Sequence, residues 1–254
     1  MQQNEMIEFA KKLVLECGEK LREAGKLNVE YKTGIQDLVT QYDRMIEQYM
    51  YHKIQEQYPT HQFLGEENVK EMGNHLWILD PIDGTVNFVT MHRDFAISLA
   101  YYEDKKPVFG IVYDVMRDEL FLGVHGEGAW LNDRKLAKPD KKKLSECVLE
   151  AGISTISYMK EQFQYDIFAL QKKIRAHRSY GCASLSIVHI AQGITDIYIT
   201  SKAKCWDYAA AIIILEETGG AYHIHNSFFT SECTFCMFVN QEEHMKQILK
   251  DCLP

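Results

Sequence analysis

The chain has 254 residues, 46% hydrophobic and 25% charged, enough to bury roughly 70–75% of its unfolded surface without disulfide or metal staples. One large domain or two closely packed lobes is expected, since three ordinary domains would need more chain. With 36 acids against 28 bases and a formal charge of −8, the surface is unsuited to general nucleic-acid binding. No run of about 18 apolar residues offers a membrane span, and the acids near the start argue against a signal peptide. A cytoplasmic protein with no nucleic-acid or membrane partner is expected, and its seven cysteines, an odd number, are expected to be reduced thiols.

Residues 5–25 carry Ile7, Ala10, Leu13, Val14, Cys17 and Leu21 at helical spacing, and Gly25 suits the helix end. The segment VEYKTGIQD does not continue that pattern. A second helix is predicted from Thr40 to about Gln57, with Asp43 three residues after the Thr as in a capping box, and Pro59 closing it. HQFLGEE and HLWILD read as strands that end in acids, and FAISLAYYE, PVFGIVYDV and DELFLGV as three strands of a mostly antiparallel sheet. The charged run at 134–144 marks a boundary between an N-terminal lobe, 1–140, and a C-terminal lobe, 141–254, of one continuous unit. Beyond it come a strand near 146–151, helices near 160–172 and 182–192, and the strand TDIYIT. CWDYAAAIIIL reads as a buried helix, because three alanines and the following Gly pair outweigh the Ile run. Residues 241–251 form a last amphipathic helix. Cys233 and Cys236 lie three apart on the apparent strand ECTFCMFV, so they face opposite sides and are expected to be buried thiols rather than zinc ligands.

The densest chemical signal is Asp80-Pro81-Ile82-Asp83-Gly84-Thr85, directly after the apolar run HLWIL. Pro81 restrains the backbone and Gly84 permits a sharp turn, so two carboxylates can converge at a strand end. Taken alone, the segment fits either a divalent-metal site whose Gly84 and Thr85 amides face a phosphate, or an Asx-turn that caps a helix. Three other places bear on that choice. Glu66 and Glu67 end a neighbouring strand, Asp207 precedes the buried AAAIIIL helix, and Lys32, Asp37 and Asp43 add a basic residue and two acids near the second helix. Buried acids are expected only when paired, protonated or metal-bound. None of the ten histidines has a recognised ligand spacing, and the glycine cradles of dinucleotide-binding folds and P-loop ATPases are absent from the sequence.

With KTGIQDLVTQYD at 32–43, FLGEE at 63–67, DPIDGTVNF at 80–88, WDYAAA at 206–211 and GG at 219–220, the sequence resembles the inositol monophosphatase family of magnesium-dependent, lithium-sensitive phosphatases. These blocks occur in family order over essentially the whole chain. The resemblance implies an α/β (α+β) fold, the layered α-β-α-β-α sandwich of the inositol monophosphatase and fructose bisphosphatase superfamily, in a homodimer. It further implies two or three Mg2+ per site, held by Glu66, Asp80, the carbonyl of Ile82, Asp83 and Asp207. Thr85 oriented by Asp43 would activate the attacking water, with Glu67 as the adjacent acid. Gly84 and Thr85 amides would hold the phosphate, while Lys32 and Asp37 belong to the mobile loop that helps retain a third magnesium. Arg178, Gly181, Ala183 and Thr200 resemble the substrate wall.

One departure bears on the small-molecule substrate. Thr200 stands where inositol-specific members place a Glu that accepts hydrogen bonds from ring hydroxyls, and Lys202 and Lys204 lie close by in sequence. Inositol monophosphate remains the first expectation. Fructose bisphosphate, a nicotinamide dinucleotide phosphate and a phosphoadenosine phosphate are alternatives, and a non-catalytic phosphate-binding scaffold is the reading from another class. Trp77 and Trp206, each just before a proposed ligand segment, are expected to pack the site wall.

Overall fold

The computed structural model describes residues 2–32, 38–67, 70–225 and 235–252. Helix α1, Gln2–Arg22, buries the stripe seen in the sequence, with Ala10, Val14, Cys17 and Leu21 fully enclosed. Strands β1, Val29–Tyr31, and β2, Leu38–Thr40, form a short antiparallel pair. It leads into α2, Gln41–Gln57, whose N-cap is Thr40 and whose capping box uses Asp43 as expected.

A seven-stranded sheet follows in the order β3 (Gln62–Gly65), β4 (His75–Asp83), β5 (Ala96–Glu103), β6 (Lys106–Asp114), β7 (Glu119–Val124), β8 (Gly128–Leu131) and β9 (Arg134–Lys135), with α3 (Thr85–Met91) between β4 and β5. Only the β3–β4 pair is parallel. Period-two alternation sends Trp77, Leu79, Ile97 and Leu99 to a core shared with α1 and α2. Leu76, Ile78, Ala96 and Ala100 point the other way.

The second half forms a five-stranded mixed sheet in the order β11-β10-β12-β14-β13. Its strands are β10 (Val148–Ala151), β11 (Ala176–Arg178), β12 (Ile197–Thr200), β13 (Ala221–Ile224) and β14 (Cys236–Val239). Helices α5 (Ala183–Ala191) and α6 (Cys205–Glu217) lie between the two sheets and share one core with both. On the far face, α4 (Ile153–Phe163), a 3-10 turn at Ile167–Lys172 and α7 (Glu242–Cys252) close a third core. The layers therefore run α-β-α-β-α, as the resemblance implied. Close approach of α6 explains two glycines in the first sheet. A Cβ on Gly110 would run into the backbone of Ala210, and one on Gly123 would lie 2.8 Å from the Ile214 nitrogen.

The expected helix at 160–172 is corrected. Helix α4 starts at Ile153 after Gly152 and stops where Gln164 turns left-handed (φ 58°), and the apolar pattern resumes in the 3-10 turn. Trp77 is corrected too: it is fully buried in the first core, packed at tilted and edge-on angles among Tyr58, Tyr101 and Phe109, away from any site wall. Cys17, Cys147, Cys182 and Cys205 are buried free thiols and Cys236 is buried, while Cys233 lies outside the described residues. Among the described residues, no helix is long and apolar enough to cross a membrane.

Candidate active site

At its C-terminal end β4 leaves regular pairing. The register with β5 shifts between Asp80 and Asp83, and Gly84, at φ 87°, turns the chain into α3. That turn is one only glycine takes without strain, and it is why two acids and Thr85 meet at one strand end. The Ile82 amide donates to Asp80 Oδ1 (3.0 Å). Asp83 reaches across to the second half of the molecule, accepting from the amides of Ala183 (3.1 Å) and Ser184 (2.5 Å) and from the Cys182 thiol (3.1 Å). Asn87 adds a second tie, donating to the carbonyls of Asp94 and Tyr180.

Thr85 sits against Asp43. Its hydroxyl oxygen lies 3.3 Å from Asp43 Oδ1 and 3.0 Å from the Ile82 carbonyl. Asp43 Oδ2 is already occupied by the Thr40 amide (2.8 Å) and hydroxyl (2.6 Å), which leaves Oδ1 for Thr85. Capping and contact with Thr85 thus coexist in one buried side chain. On the β3 side, buried Glu47 of α2 accepts the amide of Glu67 (2.6 Å) and sets the turn carrying Glu66 and Glu67. Lys32 pairs with both of those acids, at 2.9 Å from Glu66. Asp207, in the first turn of α6, accepts the Lys204 amide (2.8 Å).

These groups border a cavity of about 340 Å³ lined by Glu66, Asp80, Ile82, Asp83, Gly84, Thr85 and Asp207, and on the opposite side by Gly181, Ala183 and Thr200. Asp43 stands behind Thr85 and does not line it; nor do Lys32 and Glu67. Arg178 is corrected as a wall residue, because its side chain is exposed on β11 and donates to the carbonyl of His177 (2.8 Å). Asp37 lies outside the described residues. Lys202 and Lys204 do not line the cavity either, and the Lys202 ammonium lies 4.8 Å over the Tyr158 ring. Trp206 is likewise absent from the lining, and Lys70 stacks over its ring at 4.1 Å. Sequence reasoning missed Glu150, Ser154, Thr155, Ser179 and Tyr198, which complete the wall. A signal existed for Glu150: it is a lone acid inside the apolar run CVLEA, on a strand covered on both faces.

The electrostatics are those of crowded carboxylates. Burial, then the charges of Glu66, Asp83 and Asp207, pushes the Asp80 carboxyl well above its ordinary range. Burial also raises Asp207, with Asp83 adding to it and the Lys204 amide opposing. Asp83 is raised by burial and partly restored by its donors on Ser184, Cys182 and Ala183. Asp43 is raised by burial, against the Thr40 bonds. For Lys32, burial favours the neutral amine, but Glu66 and Glu67 outweigh it and raise its pKa.

Such a set of buried, mutually repelling oxygen donors has the chemistry a hard divalent cation needs. Among the described residues, no three acids, histidines or cysteines are already drawn into a ligating group. Lys32, the start of α5 and the Lys204 amide each hold one of the acids, and a cation would compete with those contacts.

Comparison with known proteins gives concordant matches. The model of the inositol monophosphatase family matches residues 2–251. The inositol-1-monophosphatase of Bacillus subtilis (strain 168) is 38% identical over 224 residues, covering 86% of this chain and 84% of its own length. The crystal structure of SaIMPase-II with inositol monophosphate bound superposes with a TM-score of 0.83 at 31% identity, covering 98% of this chain and 94% of that one. An IMPase/NADP phosphatase complexed with Mg2+ and phosphate gives 0.83 at 27% identity, over 98% and 95% of the two chains.

Proposed function

The chain belongs to the inositol monophosphatase family and is a metal-dependent phosphomonoesterase of small phosphate esters; from that premise we propose that inositol monophosphate is its substrate and Mg2+ its metal. The observation that carries the reading is the cavity in which Glu66, Asp80, Asp83 and Asp207 converge beside the Thr85–Asp43 pair.

Glu66, Asp80, Asp83, Asp207 and the Ile82 carbonyl would hold two or three ions. When bound, these supply Lewis acidity, lowering the pKa of water and offsetting charge on the phosphoryl and leaving oxygens. Thr85 Oγ1 accepts a proton from the attacking water and gives its own to Asp43 Oδ1. Burial raises the Asp43 carboxyl, which suits that acceptor role. The Gly84 and Thr85 amides, at the start of α3, orient the phosphate. Water attacks phosphorus directly, so no phosphoenzyme forms. Glu67 steadies the Glu66 turn, Gly181, Ala183 and Thr200 shape the wall, and Lys32 and Asp37 are assigned to the loop that would help retain a third ion. The same reading takes the chain as a cytoplasmic, lithium-sensitive homodimer, with lobes over 1–140 and 141–254.

A second reading, a nicotinamide dinucleotide phosphate as substrate, is favoured by Thr200, which leaves the wall uncharged at that position. Phosphate release at fixed Mg2+ from inositol monophosphate, fructose bisphosphate, NADP and phosphoadenosine phosphate separates the two. The expected order puts inositol monophosphate first, and a higher kcat/KM for NADP overturns the assignment.

A further inference from the structure

The cavity has two unlike halves. Four carboxylates occupy the half formed by the end of β4, the turn after β3 and the start of α6. The other half lies over the ends of β10 and β12 and the 179–183 segment. Among the described side chains lining that second half, Ser154, Thr155, Ser179, Tyr198 and Thr200 carry hydroxyls, Glu150 carries a carboxylate, and none is Lys or Arg.

Glu150 is 1% exposed. Alternation along β10 sends Leu149 and Ala151 into the outer core and Glu150 to the cavity side. Its Oε1 is held by the Ser186 hydroxyl (2.6 Å) and the Tyr180 amide (3.0 Å), so the carboxylate is fixed in place. Its Oε2 is buried and has no hydrogen-bond partner among the described residues. The neighbouring Tyr198 pairs with Glu150 across β10 and β12. An unpaired buried carboxylate oxygen is costly, and such atoms call for a reason. Burial raises the Glu150 carboxyl, while the Ser186 and Tyr180 bonds to Oε1 pull it back toward the ionised form.

We propose that Glu150 is a specificity-determining residue whose Oε2 accepts a hydrogen bond from a hydroxyl of the substrate's leaving group. The assignment rests on the phosphatase reading above and adds to it the atom that reads the alcohol. An acceptor at this place favours a hydroxyl-bearing leaving group and disfavours a second anionic group.

Glu150→Gln tests this, because it keeps an oxygen for Ser186 and Tyr180 and turns the Oε2 position into a donor. With Mg2+ saturating, kcat/KM for inositol monophosphate is expected to fall by about tenfold or more, chiefly through KM. For phenyl phosphate, which has no hydroxyl, the change is expected to stay under about twofold. Equal losses on both esters would make Glu150 a prop for the wall and overturn the assignment. Should circular dichroism show that Glu150→Gln does not fold, Ser186→Ala frees the carboxylate without removing it. The ratio between the two esters should then fall in the same direction, and an unchanged ratio overturns the proposal. Wild-type protein active on phenyl phosphate but inert toward inositol monophosphate would instead sink the substrate reading, and this assignment with it.

Discussion

The Thr85 hydroxyl lies within reach of two acceptors, the Ile82 carbonyl and Asp43 Oδ1, and has one proton to give. Its lone pairs are the available base on the cavity side, and Asp43 is the available sink behind it. Thr85→Ala and Asp43→Asn are therefore expected to lower kcat by about 10²–10⁴-fold at saturating metal, whereas Thr85→Ser retains most of it. Unchanged kcat in both damaging variants would remove the pair from the chemistry. Asp43→Asn should also weaken the α2 cap by about 1 kcal/mol, measured by urea unfolding. At this scale the sequence was informative where several polar residues fell together, as in DPIDGT. It was uninformative about partners where a single side chain acts through the fold: Glu150 stands out as a lone acid in CVLEA, yet no neighbour in sequence hints at Ser186 or Tyr180, and Arg178 looked like wall until β11 turned it outward.

The elements were legible in proportion to their length and periodicity. Helix α1, the α2 capping box and strands β4 to β7 each repeat one period over many residues, so local pattern and tertiary packing agree. Strands β8, β9, β11 and β13 span two to four residues, too few to show an alternation, and their pairing comes from partners distant in sequence. Helix α4 was displaced because its pattern continues past a left-handed break into a 3-10 turn. Helix α6 is nearly apolar all round because it is sandwiched between two sheets. Its tight seat carries its own prediction. Gly110→Ala would press a methyl group into the α6 backbone and is expected to cost about 1–3 kcal/mol, seen as a lower Tm. A Tm equal to wild type would mean that α6 can shift freely.

At the scale of the whole molecule, the candidate site is a seam. Glu66, Asp80 and Asp83 come from the first sheet and Asp207 from the helical layer beside the second, while Asp83 also grips the start of α5. A divalent ion binding there would join the two halves and relieve the repulsion among their acids. Saturation with Mg2+ at about one hundred times Kd should stabilise the fold by about 2.7 kcal/mol, or roughly 5–11 °C in Tm. Asp83→Asn should lose most of that rise. Scanning calorimetry with and without Mg2+ checks it, and an unmoved Tm in the wild type would contradict ligation at this seam.

The helical layer between the sheets also has a consequence for synthesis on the ribosome. The first sheet is complete once β9 ends at Lys135, yet Leu76, Ile78, Ala100, Val112 and Phe121 pack against α5 and α6, and α6 ends at Glu217. At roughly 5–20 residues per second, that apolar face waits about 4–16 s for its cover. During this interval the nascent chain exposes a broad sheet surface, and a slow stretch of translation between β9 and α6 would lengthen the time available for aggregation or chaperone capture.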